Sequence, residues 1–137
     1  MKAFFDTNVL IYAVTADRRK QQADRVLRAG GIVSVQVLNE FANVARNKLR
    51  HDWNMIEFAL SQFKLSFEAI VPLTADTHAA AVGFAREHGL AFYDALIVAA
   101  ATEAGCDTLH SEDMQHGRTI GELTILNPFI ESAASRT

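Results

Sequence analysis

The chain has 137 residues, half of them apolar and 21% charged, which fits one globular domain and excludes a disordered chain. Its net charge of −3 argues against a strongly basic nucleic-acid binder, and its richest apolar run, Ala95 to Ala101, is too short to span a bilayer. A single cysteine, Cys106, and no long apolar leader before Asp6 lead us to expect a soluble protein of a reducing, cytoplasmic compartment, with Cys106 a core residue.

The elements alternate along the chain. Ala3–Phe5 reads as a short buried strand. Asp17 to Ala29 reads as a helix, with Ala23, Val26 and Leu27 inward and Gly30-Gly31 ending it. Ile32–Val35 is the next strand. Gln36 to Leu49 is helical, with Val37, Phe41 and Val44 at i, i+4 and i+7. Asn54 to Phe67 is another amphipathic helix, and Ala69–Leu73 a strand. Ala75 to His88 is a helix closed by Gly89. Tyr93 to Ala104 is an apolar, buried helix closed by Gly105. Thr108-Leu109 begins a strand, and Thr124–Leu126 is the last. The alternation predicts an α/β fold, a three-layer α/β/α sandwich around a mostly parallel sheet. One domain covers 1–131, and the small polar tail Ser132–Thr137 is expected to fray.

Charge is unevenly spread. Residues 1–50 carry nine Lys and Arg against four acids, and the rest of the chain carries four bases and twelve acids. Arg18, Arg19, Lys20, Arg46, Lys48 and Arg50 therefore form a candidate phosphate-contacting set, although a merely solvated basic face fits the same distribution.

Four acids, Asp6, Glu40, Asp94 and Asp113, follow or interrupt apolar stretches, where a carboxylate loses hydration and is seldom kept unpaired. Taken singly, Asp6 fits a turn, Asp94 a helix start and Asp113 a polar loop. Glu40 shares its helical face with Val37, Phe41 and Val44 and has no such local duty. In open α/β sheets a site lies beyond the carboxyl ends of the strands, so this topology allows all four to meet. Carboxylates gathered in one pocket repel unless a cation joins them. An oxygen-only set points to Mg²⁺, with Mn²⁺ as an alternative, and away from zinc, since the histidines form no i, i+4 pair and there is no Cys pair. Such a site, with open water positions, suits phosphodiester hydrolysis.

These residues carry a resemblance. Phe5-Asp6-Thr7-Asn8-Val9-Leu10, Leu38-Asn39-Glu40-Phe41, Tyr93-Asp94-Ala95-Leu96-Ile97 and Ser111-Glu112-Asp113 resemble, in order, the four motifs of PIN-domain nucleases. They cover nearly the whole chain. The likeness extends to VapC-type toxins of toxin–antitoxin pairs, a subgroup of which is similar in Gly105 to Gly117 and in Ile125-Leu126-Asn127-Pro128-Phe129. The resemblance implies an endoribonuclease that uses Mg²⁺ and leaves a 5′-phosphate and a 3′-hydroxyl. It makes Asp6, Asp94 and Asp113 the metal-centred carboxylates and Glu40 the fourth acid, on metal or on the attacking water. It gives Ser111 the place of a ligand- or phosphate-holding hydroxyl, and Asn8 that of a brace. It also implies a homodimer and an antitoxin whose tail presents an Arg to the acids. Gln115-His116-Gly117 stands where some relatives carry a further acid, which leaves the ion count open.

Two other readings stay in view. A phosphatase resembling the haloacid dehalogenase-like group would use Asp6 as its nucleophile after a strand, but Asn8 stands where that group needs a second acid. A non-enzymatic RNA- or partner-binding module would keep the acids for structure alone.

Overall fold

The computed structural model describes residues 1–130, so the expected fraying of Ser132–Thr137 lies outside the described residues. Strand β1 (Ala3–Phe5) runs directly into helix α1 (Thr7–Ala13), which the sequence pattern does not reveal. Val9-Leu10-Ile11-Tyr12 is a continuous apolar run without visible helical periodicity. The one signal for α1 is Asp6, which caps it by accepting from the Thr7 N–H. Helix α2 (Lys20–Arg28) begins three residues later than expected. Asp17 is drawn into a turn with the Arg19 N–H, 2.8 Å away, and does not open the helix.

Strand β2 (Gly31–Ser34) stops one residue short of the expected Val35, because Ser34 caps helix α3 (Val35–Asn47) through the Val37 N–H. Helix α4 (Trp53–Lys64) is capped by Asp52. Strand β3 (Phe67–Val71) starts and ends two residues earlier than expected, and Pro72, with no N–H for the ladder, follows it. Helix α5 (Ala75–His88) starts at a Thr74–Thr77 capping box and ends at Gly89, in the left-handed region at φ 65°. Helix α6 (Phe92–Glu103) is followed by β4 (Thr108–His110). The final hairpin adds β5 (Thr119–Ile120), too short to be read from sequence, and β6 (Leu123–Leu126).

Among the described residues six strands form one sheet, in the order β3-β2-β1-β4-β6-β5. All neighbours are parallel except the β5–β6 hairpin. Helices surround this mostly parallel sheet, as the fold class predicted. The chain first steps outward from β1 through β2 to β3, then crosses back to place β4 on the other side of β1. Connections therefore diverge at the carboxyl ends of β1 and β4, the position where open α/β sheets form their crevice. The Asp6 N–H donates to the His110 carbonyl at 2.9 Å, and the Ser111 N–H to the Leu126 carbonyl at 3.0 Å, holding three strand ends together there.

The core is aromatic and aliphatic. Phe4, Phe5, Val9, Leu10, Val33, Val37, Phe41, Ile97 and Leu109 are fully enclosed. Cys106 is buried and free, as expected. Phe5 needs close approach from β2: a Cβ at Gly31 would sit 2.7 Å from its ring and 2.9 Å from the Ala3 carbonyl oxygen. Because β1 carries Asp6, that fit also sets the position of the site. Gly31→Ala is expected to cost ~1–3 kcal/mol by overpacking. Gly83→Ala, where none of the described residues lies within 4 Å of the added Cβ, is expected to stabilise α5 by ~0.5–1 kcal/mol. Urea midpoints of the two variants check both signs.

Candidate active site

Asp6 lies at the carboxyl end of β1 with 3% of its surface exposed. Its Oδ2 accepts from the Ser111 hydroxyl at 2.6 Å and its Oδ1 from the Thr7 N–H at 2.7 Å. Burial, with smaller contributions from the charges of Glu40 and Asp94, raises its pKa to about 7 against these two bonds. Glu40 is half-buried in the second turn of α3. Burial pushes its pKa up, as do Asp94 and Asp113, while a 3.2 Å bond from Gln36 Nε2 to its Oε2 opposes them. Asp94 is half-buried in the first turn of α6, and burial and then Asp113 push it up. Helix α6 starts at Ala91, and among the described residues no side chain, Asp94 included, caps it. Asp113 is exposed in the loop after β4, where its Oδ2 accepts from Asn8 Nδ2 at 2.8 Å.

Glu40 and Asp94 act on Asp6, Asp94 and Asp113 act on Glu40, and Asp113 acts on Asp94, so the fold brings the four acids near one another. The ion pairs among the described residues are Arg19–Asp17, Arg19–Glu112 and Lys20–Asp24, none of which involves the cluster. Among the described residues the Thr7 hydroxyl is buried without a hydrogen-bond partner, yet it lies close enough to Glu40 to favour the charged carboxylate. Among the described residues no three Asp, Glu, His or Cys side chains form a ready-made metal cage.

The loop bearing Asp113 is fastened by a network that sequence alone does not reveal. Asn8 and Tyr12 lie four apart on α1 and bond consecutive acids: Asn8 holds Asp113, and the Tyr12 hydroxyl donates to Glu112 at 2.5 Å. Burial and then Glu112 push the phenol up to about 12, so it stays a donor. Arg19 stacks on the Tyr12 ring at 4.1 Å and pairs with Glu112 at 2.9 Å and Asp17 at 2.8 Å. Asn8 bonds Asp113, whereas Tyr12, Arg19 and Glu112 were not among the residues expected around the acids. The i, i+4 spacing was the available signal, and it becomes visible only once 7–13 is known to be helical.

The basic candidates divide. Arg19 is committed to Asp17 and Glu112, and Lys20 to the Ala13 carbonyl at 2.7 Å and to Asp24. Arg18, Arg46, Lys48 and Arg50 are exposed, and Arg46 and Arg50 line one polar pocket with Asn47. His116 is turned to the backbone, its Nδ1 accepting from the Asn127 N–H at 2.9 Å. Beside the acids a groove of about 480 Å³ is lined by Gln36, Asn39, Glu40, Asn43, Val44 and Tyr93.

The model of the PIN domain matches residues 3–120, a span that includes all four acids. The chain belongs to the PIN domain family. This membership replaces the haloacid dehalogenase-like alternative, and Asn8, at the place where that group needs a second acid, bonds Asp113. Solved structures share the PIN fold. A toxin–antitoxin complex from Klebsiella pneumoniae is 26% identical, over 93% of this chain and 98% of that one, with a TM-score of 0.70. VapC20 of Mycobacterium tuberculosis, a toxin that cleaves the sarcin–ricin loop, is 20% identical over 82% and 90%, with a TM-score of 0.69. DNA-bound VapBC from Salmonella typhimurium is 16% identical over 91% and 96%, with a TM-score of 0.65. No curated protein matches the chain significantly. Among the described residues no helix is long and apolar enough to cross a membrane.

The buried acids set a pH dependence of stability. The Asp6 pKa is raised from 3.8 to about 7 on folding, so between those values the folded chain holds the extra proton. The three acids therefore make stability without metal fall as pH rises from about 4 toward 7, Glu40 and Asp94 adding to Asp6, while His110, held neutral by burial, acts the other way below 6.5. Thermal melts in EDTA are expected to give a higher Tm at pH 5 than at pH 8. Asp6→Asn, which cannot ionise, is expected to flatten that slope.

Proposed function

We propose that this PIN-domain protein is a metal-dependent endoribonuclease and the toxin of a type II toxin–antitoxin pair. The observation that carries the reading is the enclosed Asp6, coupled to Glu40 and Asp94 with no ion-pair partner for any cluster acid among the described residues. Such a set is disfavoured alone and is relieved by a divalent cation. The donors are all oxygen, which suits Mg²⁺, or Mn²⁺ in its place. Asp6, Asp94 and Asp113 would hold it, with Glu40 joining directly or through water. When bound, the ion supplies Lewis acidity to the phosphoryl group and lowers the pKa of an attacking water.

The protein's own residues orient the reaction. Ser111 and the Thr7 N–H fix both oxygens of Asp6. Asn8 fixes Asp113, and Gln36 fixes Glu40. Glu40, with its raised pKa, is suited to take a proton from an attacking water. Arg18, Arg46, Lys48 and Arg50 are exposed and free of ion pairs among the described residues, and they would contact the RNA backbone. An accessible single-stranded loop is the suitable substrate, because unstacked bases can enter a protein groove. The partners we assign are a homodimer mate and a cognate antitoxin, the latter supported by the toxin–antitoxin complexes of similar fold. A guanidinium from that antitoxin would pair well with the clustered acids. The cytoplasm is the compartment we assign.

Purified protein with a structured RNA and Mg²⁺ is expected to cut in loops, leaving 5′-phosphate and 3′-hydroxyl ends. EDTA is expected to abolish cutting, and Asp94→Asn to slow it by at least ~100-fold. Cleavage that survives both changes would sink the metal mechanism. Intact RNA held in a complex, with no turnover on adding Mg²⁺, would favour the binding-module alternative.

A further inference from the structure

We propose that the α3 face leading away from the acids is a binding track for single-stranded RNA, with Tyr93 as a base-stacking platform and Asn39 and Asn43 as base-reading side chains. This rests on the nuclease reading for its register, because Glu40 and Asp94 mark the end where a phosphate would be cut. Three observations align along the track.

The first is the groove itself, with Glu40 in its lining, the amides Gln36, Asn39 and Asn43 on α3, and Tyr93 from α6. Tyr93 is 64% exposed although it adjoins Asp94 and packs edge-on to Phe92. An exposed aromatic beside a cluster of acids gains little for the fold, but it offers a flat face to a base.

The second is the hydrogen-bonding state of the amides. Gln36 is spent on Glu40, whereas Asn39 is exposed and has no side-chain bond among the described residues. Asn43 accepts from Asn47 at 2.7 Å, which orients both amides and leaves the Asn43 NH₂ group without an acceptor among the described residues. Asn39 and Asn43 are one helical turn apart, so they present neighbouring polar groups to successive bases.

The third is the far end of α3, where Arg46, Asn47 and Arg50 line a polar pocket. The Arg46 guanidinium is held there, over the Trp53 ring at 4.9 Å and against the His51 carbonyl at 3.3 Å. A pre-placed guanidinium next to a second arginine suits a phosphate. Glu40 to Asn47 spans roughly 10 Å along the helix, the length of about three stacked nucleotides. The track therefore runs from scissile phosphate, past stacked and amide-read bases, to a second anchored phosphate. Its openness to unstacked bases sets it against duplex RNA, whose bases are already paired and stacked.

Fluorescence anisotropy of a short labelled single-stranded RNA, in EDTA so that cutting does not compete, tests the track separately from the chemistry. Tyr93→Ala is expected to weaken binding about tenfold and Tyr93→Phe to leave it unchanged, since the ring does the stacking. Replacing both Arg46 and Arg50 with Gln is expected to reduce the slope of log K against log salt by about 0.7 for each phosphate that is no longer neutralised. A matching duplex should bind more weakly than the single strand. In the Mg²⁺ reaction, Asn39→Ala and Asn43→Ala are expected to change which bases flank the cut. Wild-type affinity in Tyr93→Ala, or equal affinity for duplex and single strand, would overturn the track. If the wild-type protein binds through Tyr93 yet never cuts with Mg²⁺, the track stands and the nuclease reading falls.

Discussion

Asp6 is a carboxylate enclosed at the end of the central strand, and its desolvation is the constraint around which the rest of the site is organised. Two short bonds, from Ser111 and from the Thr7 N–H, offset part of that cost but leave the group titrating near neutral pH. Its backbone N–H ties β1 to β4, so the same residue caps α1, joins two strand ends and faces the acids. The surrounding fold holds an unfavourable charge in place. That arrangement marks functional sites more often than structural ones.

Support for the other acids is layered outward from Asp6. Glu40 sits on the inward face of α3 and is steadied by Gln36 one turn earlier. Asp94 is set by the start of α6, an apolar helix whose residues 95–101 are all buried. Asp113 lies on an exposed loop, and its position depends on α1. Asn8 and Tyr12 bind Asp113 and Glu112 in turn, and Arg19 clamps Glu112 from the chain that follows α1. Within the basic run Arg18-Arg19-Lys20, Arg19 pairs with Glu112 of this loop and Lys20 bonds the Ala13 carbonyl beside the start of α2. The exposed end of α3 is the better candidate for backbone contacts.

Much of this was legible in the residues, for identifiable reasons. Helices α3 to α6 announce themselves by apolar spacing and by Gly89 and Gly105 at their ends. The four acids stand out because each follows or interrupts an apolar stretch. Helix α1 was hidden because its four central apolar residues erase the period. Strand β5 was hidden because two residues carry no pattern. With α1 unseen, the Asn8–Tyr12 pair, and through it the part played by Glu112, had no signal.

The sequence by itself determined the alternation of strands and helices, the parallel sheet that follows from it, and the identity of four acids beside apolar elements. These are local properties, set by periodicity, capping chemistry and turn residues. Only the tertiary structure decided that the acids are neighbours, that Asp6 is enclosed while Asp113 is exposed, and that Arg19 is spent on carboxylates while Arg46 is not. Those outcomes depend on contacts such as Asp6 with Ser111 and Asn8 with Asp113, each 105 residues apart in the chain. Burial and pairing across such separations arise from the packing of whole elements, and no local window of sequence contains them.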